Sequence, residues 1–175
     1  MSWGGLRVAP TSAGPVIRRG RRRDAKAVAA MSKAFRAEIG EATVGLTEAA
    51  YLRDGFGRKK EFDVLIAQTS AGPVGYALFF ESYEPNYSEK GLYLADLYVT
   101  PEHRSEGLGR ALVACVAAES KRRNRSFVWW VALSTNPAAH AFYERLGAVA
   151  VPVMAHAAAG ELFSELAASA PPVRK

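Results

Sequence analysis

Two short stretches carry residue types that could do chemistry. The first, Arg104-Ser105-Glu106-Gly107-Leu108-Gly109-Arg110, follows Val99-Thr100-Pro101 and opens an apolar helical stripe. Where a strand runs into a helix, the first N–H groups of the helix lack intrahelical acceptors and the helix dipole adds partial positive charge. An anion is favoured at such a place. Gly107 and Gly109 let the backbone approach a bulky diphosphate, and Arg104 and Arg110 supply donors shaped for phosphate oxygens. Taken alone, this R-x-x-G-x-G string reads as a tight turn as readily as a phosphate cradle. Neither G-x-G-x-x-G nor G-x-x-x-x-G-K-[ST] is present, so a dinucleotide or P-loop nucleotide is not the expected ligand.

The second stretch is Ser134-Thr135-Asn136-Pro137 running into Ala138–Gly147. Residues three and four apart share a helix face, which groups Asn136, Ala139, His140, Tyr143 and Gly147. Tyr143 there reads either as a core aromatic or as a hydroxyl aimed at a leaving group. A phenol is a weak acid near neutral pH and suits protonation of a departing thiolate.

The elements that must position these stretches follow from pattern. Pro15–Gly20 reads as a first strand. Asp24 is placed to cap a helix over Ala25–Ile39, and Thr47 to start a short one ending near Gly55. Asp63–Thr69 is an apolar run typical of a buried strand, and Ser70-Ala71-Gly72 turns it into a second strand over Pro73–Glu84. After a loop at Pro85–Gly91, Leu92–Val99 makes a further strand and Gly107–Lys121 a helix. Ser126–Leu133 reads as a strand, Pro137–Leu146 as a helix stopped by Gly147, Ala148–Ala159 as one or two weak strands, and Gly160–Ala168 as a closing helix. The order is mixed α/β, without repeats or a splitting linker. One domain over 16–170 is expected, between a loose N-terminal tail (1–15) and a C-terminal tail (171–175).

Bulk properties narrow the class. The chain has 175 residues, 49% hydrophobic and 23% charged, which fits a globular domain with a sizeable core. No long apolar run predicts a membrane span, and the N-terminus lacks a secretion-signal pattern. The lone Cys115 fits a reducing cytosol and reads as core, so a cytoplasmic location is expected. The formal charge of +6 gathers at Arg18–Arg23 and Lys121–Arg125. These clusters read first as a solvated strand end and a helix C-terminus, then as an attractor of small anions. No aromatics interleave them, so nucleic acid is not an expected partner.

Taken together, "VTPEHRSEGLGRAL", the strand after it and "NPAAHAFYERLGA" resemble the GNAT superfamily of acetyl-CoA-dependent N-acetyltransferases. "LTEAAYLRDGF", "GYALFFESYEP" and "LYLADLYV" are similar to its spermidine/spermine and thialysine branch. The resemblance implies an α/β GNAT fold: a mixed, mostly antiparallel sheet with splayed strands, flanked by helices. It implies acetyl-CoA as co-substrate, no metal, and a homodimer.

It also implies residue roles. Leu97, Tyr98 and Val99 would present backbone groups to the pantetheine and acetyl parts, with the N–H of Tyr98 or Val99 polarising the thioester carbonyl. Arg104, Ser105, Glu106, Gly107, Leu108, Gly109 and Arg110 would surround the pyrophosphate. Asn136 and Ala139 would line the pantetheine arm, and Tyr143 would be the general acid. The branch carries a Glu-Asp pair where this chain has Ala95-Asp96, so its water-linked base is absent. Strand neighbours point to opposite faces, so Asp96 is not expected simply to take over. Asp96 reads as a structural hydrogen-bonding group or as an amine-binding one. Glu84 matches an acid of the branch's amine-binding region, although the tryptophan two positions on is Asn86 here. The branch's acid after the last helix-to-strand turn is also missing.

The reading that follows is N-acetylation of a small diamine, polyamine or amino-acid-like amine by direct attack. A protein or peptide amine is the alternative, and a non-enzymatic acetyl-CoA or nucleic-acid binder is third. His140 is a candidate water relay, or simply solvated. Trp129 and Trp130 read as core or interface packing, and Phe80, Tyr83, Tyr87 and Tyr93 as possible walls of the acceptor pocket.

Overall fold

A computed structural model describes residues 15–173. The tail expected over 1–15 lies outside these residues except for Pro15, as do the last two residues of the C-terminal tail. The described chain divides into two compact units, one up to Pro137 and one from Ala138 onward.

The first unit is built on a five-stranded sheet in the order β1 (Val16–Arg19), β2 (Asp63–Thr69), β3 (Gly72–Glu84), β4 (Glu89–Val99), β5 (Phe127–Trp129). The first four strands pair antiparallel and β5 lies parallel to β4. This is the expected mixed, mostly antiparallel sheet. β2 is apolar on both faces because both are covered. Leu65 and Ala67 join Leu108, Leu112 and Val116 of α3 (Leu108–Arg122). Val64 and Ile66 join Val28 and Met31 of α1 (Ala25–Glu38) and Tyr51 of α2 (Glu48–Phe56). Each fully buried aliphatic side chain contributes about 1.5–3 kcal/mol, so these two clusters supply the main stabilisation.

Local signals place the helix starts. The Thr47 hydroxyl oxygen accepts the Ala50 N–H at 3.1 Å and caps α2 as expected. Asp24 sits at the N-cap of α1, yet its carboxylate makes no cap bond. It takes Arg18 at 2.7 and 2.8 Å and the Arg21 N–H at 2.7 Å, because a carboxylate only 4% exposed gains more from a guanidinium than from a helix amide.

The pairing of β3 with β4 contains one irregularity. Leu78 faces Asp96 and Phe79 faces Leu94, so Ala95 has no partner and forms a β-bulge. The bulge reverses the phase of β4. Leu92 and Leu94 pack in the α3-side cluster before it, and Leu97 and Val99 pack there after it. Ala95 packs in the α1/α2-side cluster, and Asp96 binds Arg36 of α1 and Tyr76 of that same cluster. Residues 95 and 96 therefore share a face, and the strict alternation expected from sequence does not hold there.

The strand expected over Ser126–Leu133 is confined to Phe127–Trp129. The second unit contains α4 (Pro137–Leu146, of which Pro137 belongs to the first unit), ended by Gly147 at φ 83°, and α5 (Gly160–Ala168). No strand forms over 148–159, contrary to the sequence expectation. Pro152 lacks a ladder donor, and Val149, Val151 and Val153 are 91%, 70% and 69% exposed. No helix among the described residues is long and apolar enough to cross a membrane.

Candidate active site

β4 and β5 separate. Their pairing runs Gly91 with Phe127, Leu92 with Val128 and Tyr93 with Trp129, then stops, while β4 continues to Val99. From Leu94 onward this edge of β4 has no paired strand among the described residues, which leaves a gap in the ladder. Backbone polarity along its wall follows from the β3 register. The Thr100 N–H donates to Val74 O at 2.9 Å, so backbone groups of alternate residues, including Tyr98, point toward β3. Those of Leu97 and Val99 point the other way, into the gap. Of the two amides expected to polarise a carbonyl, Val99's faces the gap and Tyr98's is turned to the sheet. The Tyr98 side chain is 6% exposed and packs against Phe35 and Tyr76, with ring centroids 5.8 and 6.5 Å away.

The loop after β4 holds the expected amides outward. After a turn at Pro101–His103, Ser105 takes φ 65° and Gly107 φ 79°, and α3 begins at Leu108. Leu108, 5% exposed, anchors the helix start in the α3-side cluster. The first helical amide with a backbone acceptor is Ala111, bonded to Gly107 O at 3.0 Å. The amides from Ser105 to Arg110 bond no other group among the described residues. Arg104 is fixed over the Tyr98 ring: its Nε donates to Val99 O at 3.0 Å and its terminal nitrogen to Glu38 at 2.6 Å. Arg110 is exposed and has no acid within ion-pair distance among the described residues, while Glu106 lies 3.4 Å from His103. A diphosphate fits such a run of outward amides beside two guanidinium groups.

Gly107 is needed for its left-handed φ, since a Cβ there would meet nothing within 4 Å. Gly107→Val is therefore expected to weaken uptake of coenzyme A about 10-fold or more in titration calorimetry, because a β-branched residue disfavours this conformation by about 1–3 kcal/mol. Gly40, at φ 76° with equal free space, is the control: Gly40→Val carries similar strain and leaves the affinity unchanged.

Asp96 is not open to an amine. It is 4% exposed, Arg36 donates to Oδ1 at 2.5 Å, and the Tyr76 hydroxyl donates to Oδ2 at 2.7 Å. Burial, with the adjoining carboxylate, pushes the Tyr76 phenol well above its ordinary value, which keeps it a donor. Both carboxylate oxygens of Asp96 thus have protein partners. Glu84 lies at the far end of β3, where Oε1 accepts Asn86 N–H at 3.0 Å and Asn86 Nδ2 at 2.7 Å. Arg36 and Tyr76 had no local signal, because their contacts with Asp96 are set by the bulge and by α1 packing.

Asn136 precedes α4, its N–H bonded to Leu133 O at 2.9 Å. Ala139 and Tyr143 lie on α4 in the second unit, both half-buried, and His140 is exposed. Burial pushes the Tyr143 phenol up to about 12. It therefore stays protonated throughout the neutral range, the state a general acid needs.

Comparison with known proteins agrees with this architecture. Residues 29–148 match the Acetyltransferase (GNAT) family. Thialysine N-epsilon-acetyltransferase of Bos taurus is 32% identical over 113 residues, covering 60% of this chain and 66% of that protein, just under two thirds of its length. L-ornithine N5-acetyltransferase NATA1 of Arabidopsis thaliana is 30% identical over 96 residues, covering 55% of this chain and 39% of that protein. Among solved structures, an aminoglycoside N-acetyltransferase AAC(6')-Iy in complex with CoA superposes with a TM-score of 0.71 at 17% identity, covering 86% of this chain and 97% of that one. With a family match over most of its length and the same fold, this chain belongs to the GNAT acetyltransferase family.

Proposed function

We propose that this chain transfers the acetyl group of acetyl-CoA to a primary amine of a small molecule, of the diamine, polyamine or amino-acid type. The observation that carries the reading is the run of outward amides from Ser105 to Arg110, placed beside the gap between β4 and β5. Relatives named for thialysine and ornithine support a small amine as acceptor, and the fold neighbour crystallised with CoA supports the co-substrate.

Bound acetyl-CoA would supply the acetyl group, with the N–C bond forming as the C–S bond breaks. The amides of residues 105–110, with Arg104 and Arg110, would hold its pyrophosphate. Leu97 and Val99 would offer N–H and C=O groups to the pantetheine, and the Val99 N–H would polarise the thioester carbonyl, a type of contact worth about 3 kcal/mol. Asn136 and Ala139 would line the arm. The Tyr143 hydroxyl would donate its proton to the departing sulfur. The attacking nitrogen must be neutral, while a free ammonium titrates near pH 10. Ala95 brings no base, and Asp96 is bound by Arg36 and Tyr76. With the proton lost to solvent rather than through a His140 relay, kcat/KM for the amine is expected to rise about tenfold per pH unit between pH 6 and 9. A pH profile that is flat across this interval would show that a resident base has been missed.

The direct test measures thiol release from acetyl-CoA with diamines, polyamines, thialysine, ornithine and lysine-containing peptides. Saturable release with a small amine is the expected result. Absence of release with every amine, together with no heat of binding for coenzyme A, would overturn the reading.

A further inference from the structure

On its α1/α2 face the sheet carries an aromatic row that α1 and α2 leave partly exposed among the described residues of the first unit. Phe79, Leu92, Leu94 and Val128 pack toward α3, so Phe80, Tyr93 and Trp129, one residue along in each strand, face the other way. Their ring centroids lie 5.1 Å apart from Phe80 to Tyr93 and 4.7 Å from Tyr93 to Trp129. The Trp129 indole N–H donates to Ser82 Oγ at 2.9 Å, which fixes the ring plane. Yet Phe80 remains 38% exposed and Trp129 44%. An ordered, cross-strand aromatic surface left facing water is characteristic of a recognition surface rather than a core.

Its position is specific. Tyr93 with Trp129 is the last rung of β4/β5 pairing, so the row ends at the root of the gap into which the Leu97 and Val99 backbones point. It shares its face with Ala95, the bulged residue. In the other direction the same face continues through Ser82 and Gly91 to Glu84 and Glu89, which are direct cross-strand partners. Neither glutamate has a lysine or arginine within ion-pair distance among the described residues. Phe80 and Glu84 lie four residue steps apart on β3, about 14 Å of extended chain.

We infer that this aromatic row is the subsite for the non-reacting arm of the acceptor, and that the arm is an alkyl chain bearing a second ammonium. The inference rests on the acetyltransferase reading above. Ring faces attract a cation and also bury methylene groups, so the row favours such an arm over an uncharged one. The glutamates at its end make the electrostatics of this face agree with a cation. Trp129 thus sets specificity for the second charge and takes no part in the acyl transfer itself.

The test compares kcat/KM for 1,4-diaminobutane and butylamine, which match in chain length and differ in the second ammonium. The wild-type protein is expected to prefer the diamine by about 10-fold or more, in keeping with a cation held on aromatic faces. In Trp129→Leu, which keeps an apolar side chain without the ring, that preference is expected to fall about 5-fold or more, with the KM for acetyl-CoA retained as a check on folding. Phe80→Leu repeats the measurement should Trp129→Leu fail to fold. Equal use of the two amines by the wild type, or an unchanged ratio in the variants, would overturn the inference while leaving acetyl transfer intact. Calorimetric binding of 1,4-diaminobutane to the coenzyme A complex gives a second readout that needs no turnover: equal affinity in wild type and Trp129→Leu would also overturn it. Failure of every amine to be acetylated would instead count against the acetyltransferase reading.

Discussion

Tyr143→Phe is expected to lower kcat by about 10²-fold or more on the best amine, the scale of a lost general acid, with the KM for acetyl-CoA little changed. The phenyl ring retains the aromatic packing of Tyr143, and a Tm measured beside kcat separates any stability change from the loss of the acid. Because burial pushes the phenol up to about 12, Tyr143 is protonated at every working pH. The wild-type profile should therefore show no descending limb from this group below about pH 11, one unit under its titration point. Two results would remove Tyr143 from the acid role: full kcat in Tyr143→Phe, or a Tyr143-dependent alkaline limb near pH 9. A thiolate of higher acidity in place of coenzyme A offers a further check, since a better leaving group needs less protonation and should narrow the gap between wild type and variant.

The second large effect concerns stability. Glu119, at the end of α3, is 8% exposed and accepts Arg122 at 2.6 and 2.8 Å, Arg123 at 2.7 Å and Arg19 at 2.7 Å. Arg123 also donates to Asp63 at 2.6 Å, tying α3 to the start of β2. Glu119→Ala leaves the half-buried Arg123 with one carboxylate fewer. Breaking a buried pair costs about 3–5 kcal/mol, and the exposure of Arg19 and Arg122 reduces this to about 2–3 kcal/mol. For a chain of this size that is a fall in Tm of about 5–10 °C. The pH dependence has a definite sign. Hydrogen bonds from Arg122, Arg19 and Arg123 hold the Glu119 carboxyl far below its ordinary 4.5, and Lys60 and Arg123 outweigh burial to hold Asp63 below 3.8. Folded values lower than unfolded ones contribute stability that is complete above about pH 5 and lost as pH falls through the folded values. The gap in Tm between wild type and Glu119→Ala should therefore be widest at pH 7 and narrow on descent to pH 3. A gap that is constant over this range would mean that packing, not charge, accounts for the effect.

Features set by near neighbours in the chain were readable from sequence. The Thr47 cap reaches three residues to Ala50, and Gly147 ends α4 because only a glycine enters the left-handed region without strain. The loop into α3, with its left-handed Gly107 and its unpaired amides, was readable for the same reason: glycine spacing, flanking arginines and the passage from strand to helix all lie within Val99–Arg110. The shortening of β5 and the missing strands over 148–159 were not readable, since apolar alternation specifies a strand only when a partner edge is available to accept it.

What the sequence determined by itself was the α/β order, the loop whose amides stay unpaired before α3, and the helix that carries Tyr143, because each depends on torsional preferences and spacing within one or two turns of chain. Only the tertiary structure decided which face Asp96 occupies, that Arg36, sixty residues away, neutralises it, and that Val99 rather than Tyr98 turns its amide to the gap. Those outcomes follow from one unpaired residue, Ala95, whose bulge arises from how β3 and β4 align. Strand alignment is a balance of contacts between distant segments, and no local pattern encodes it.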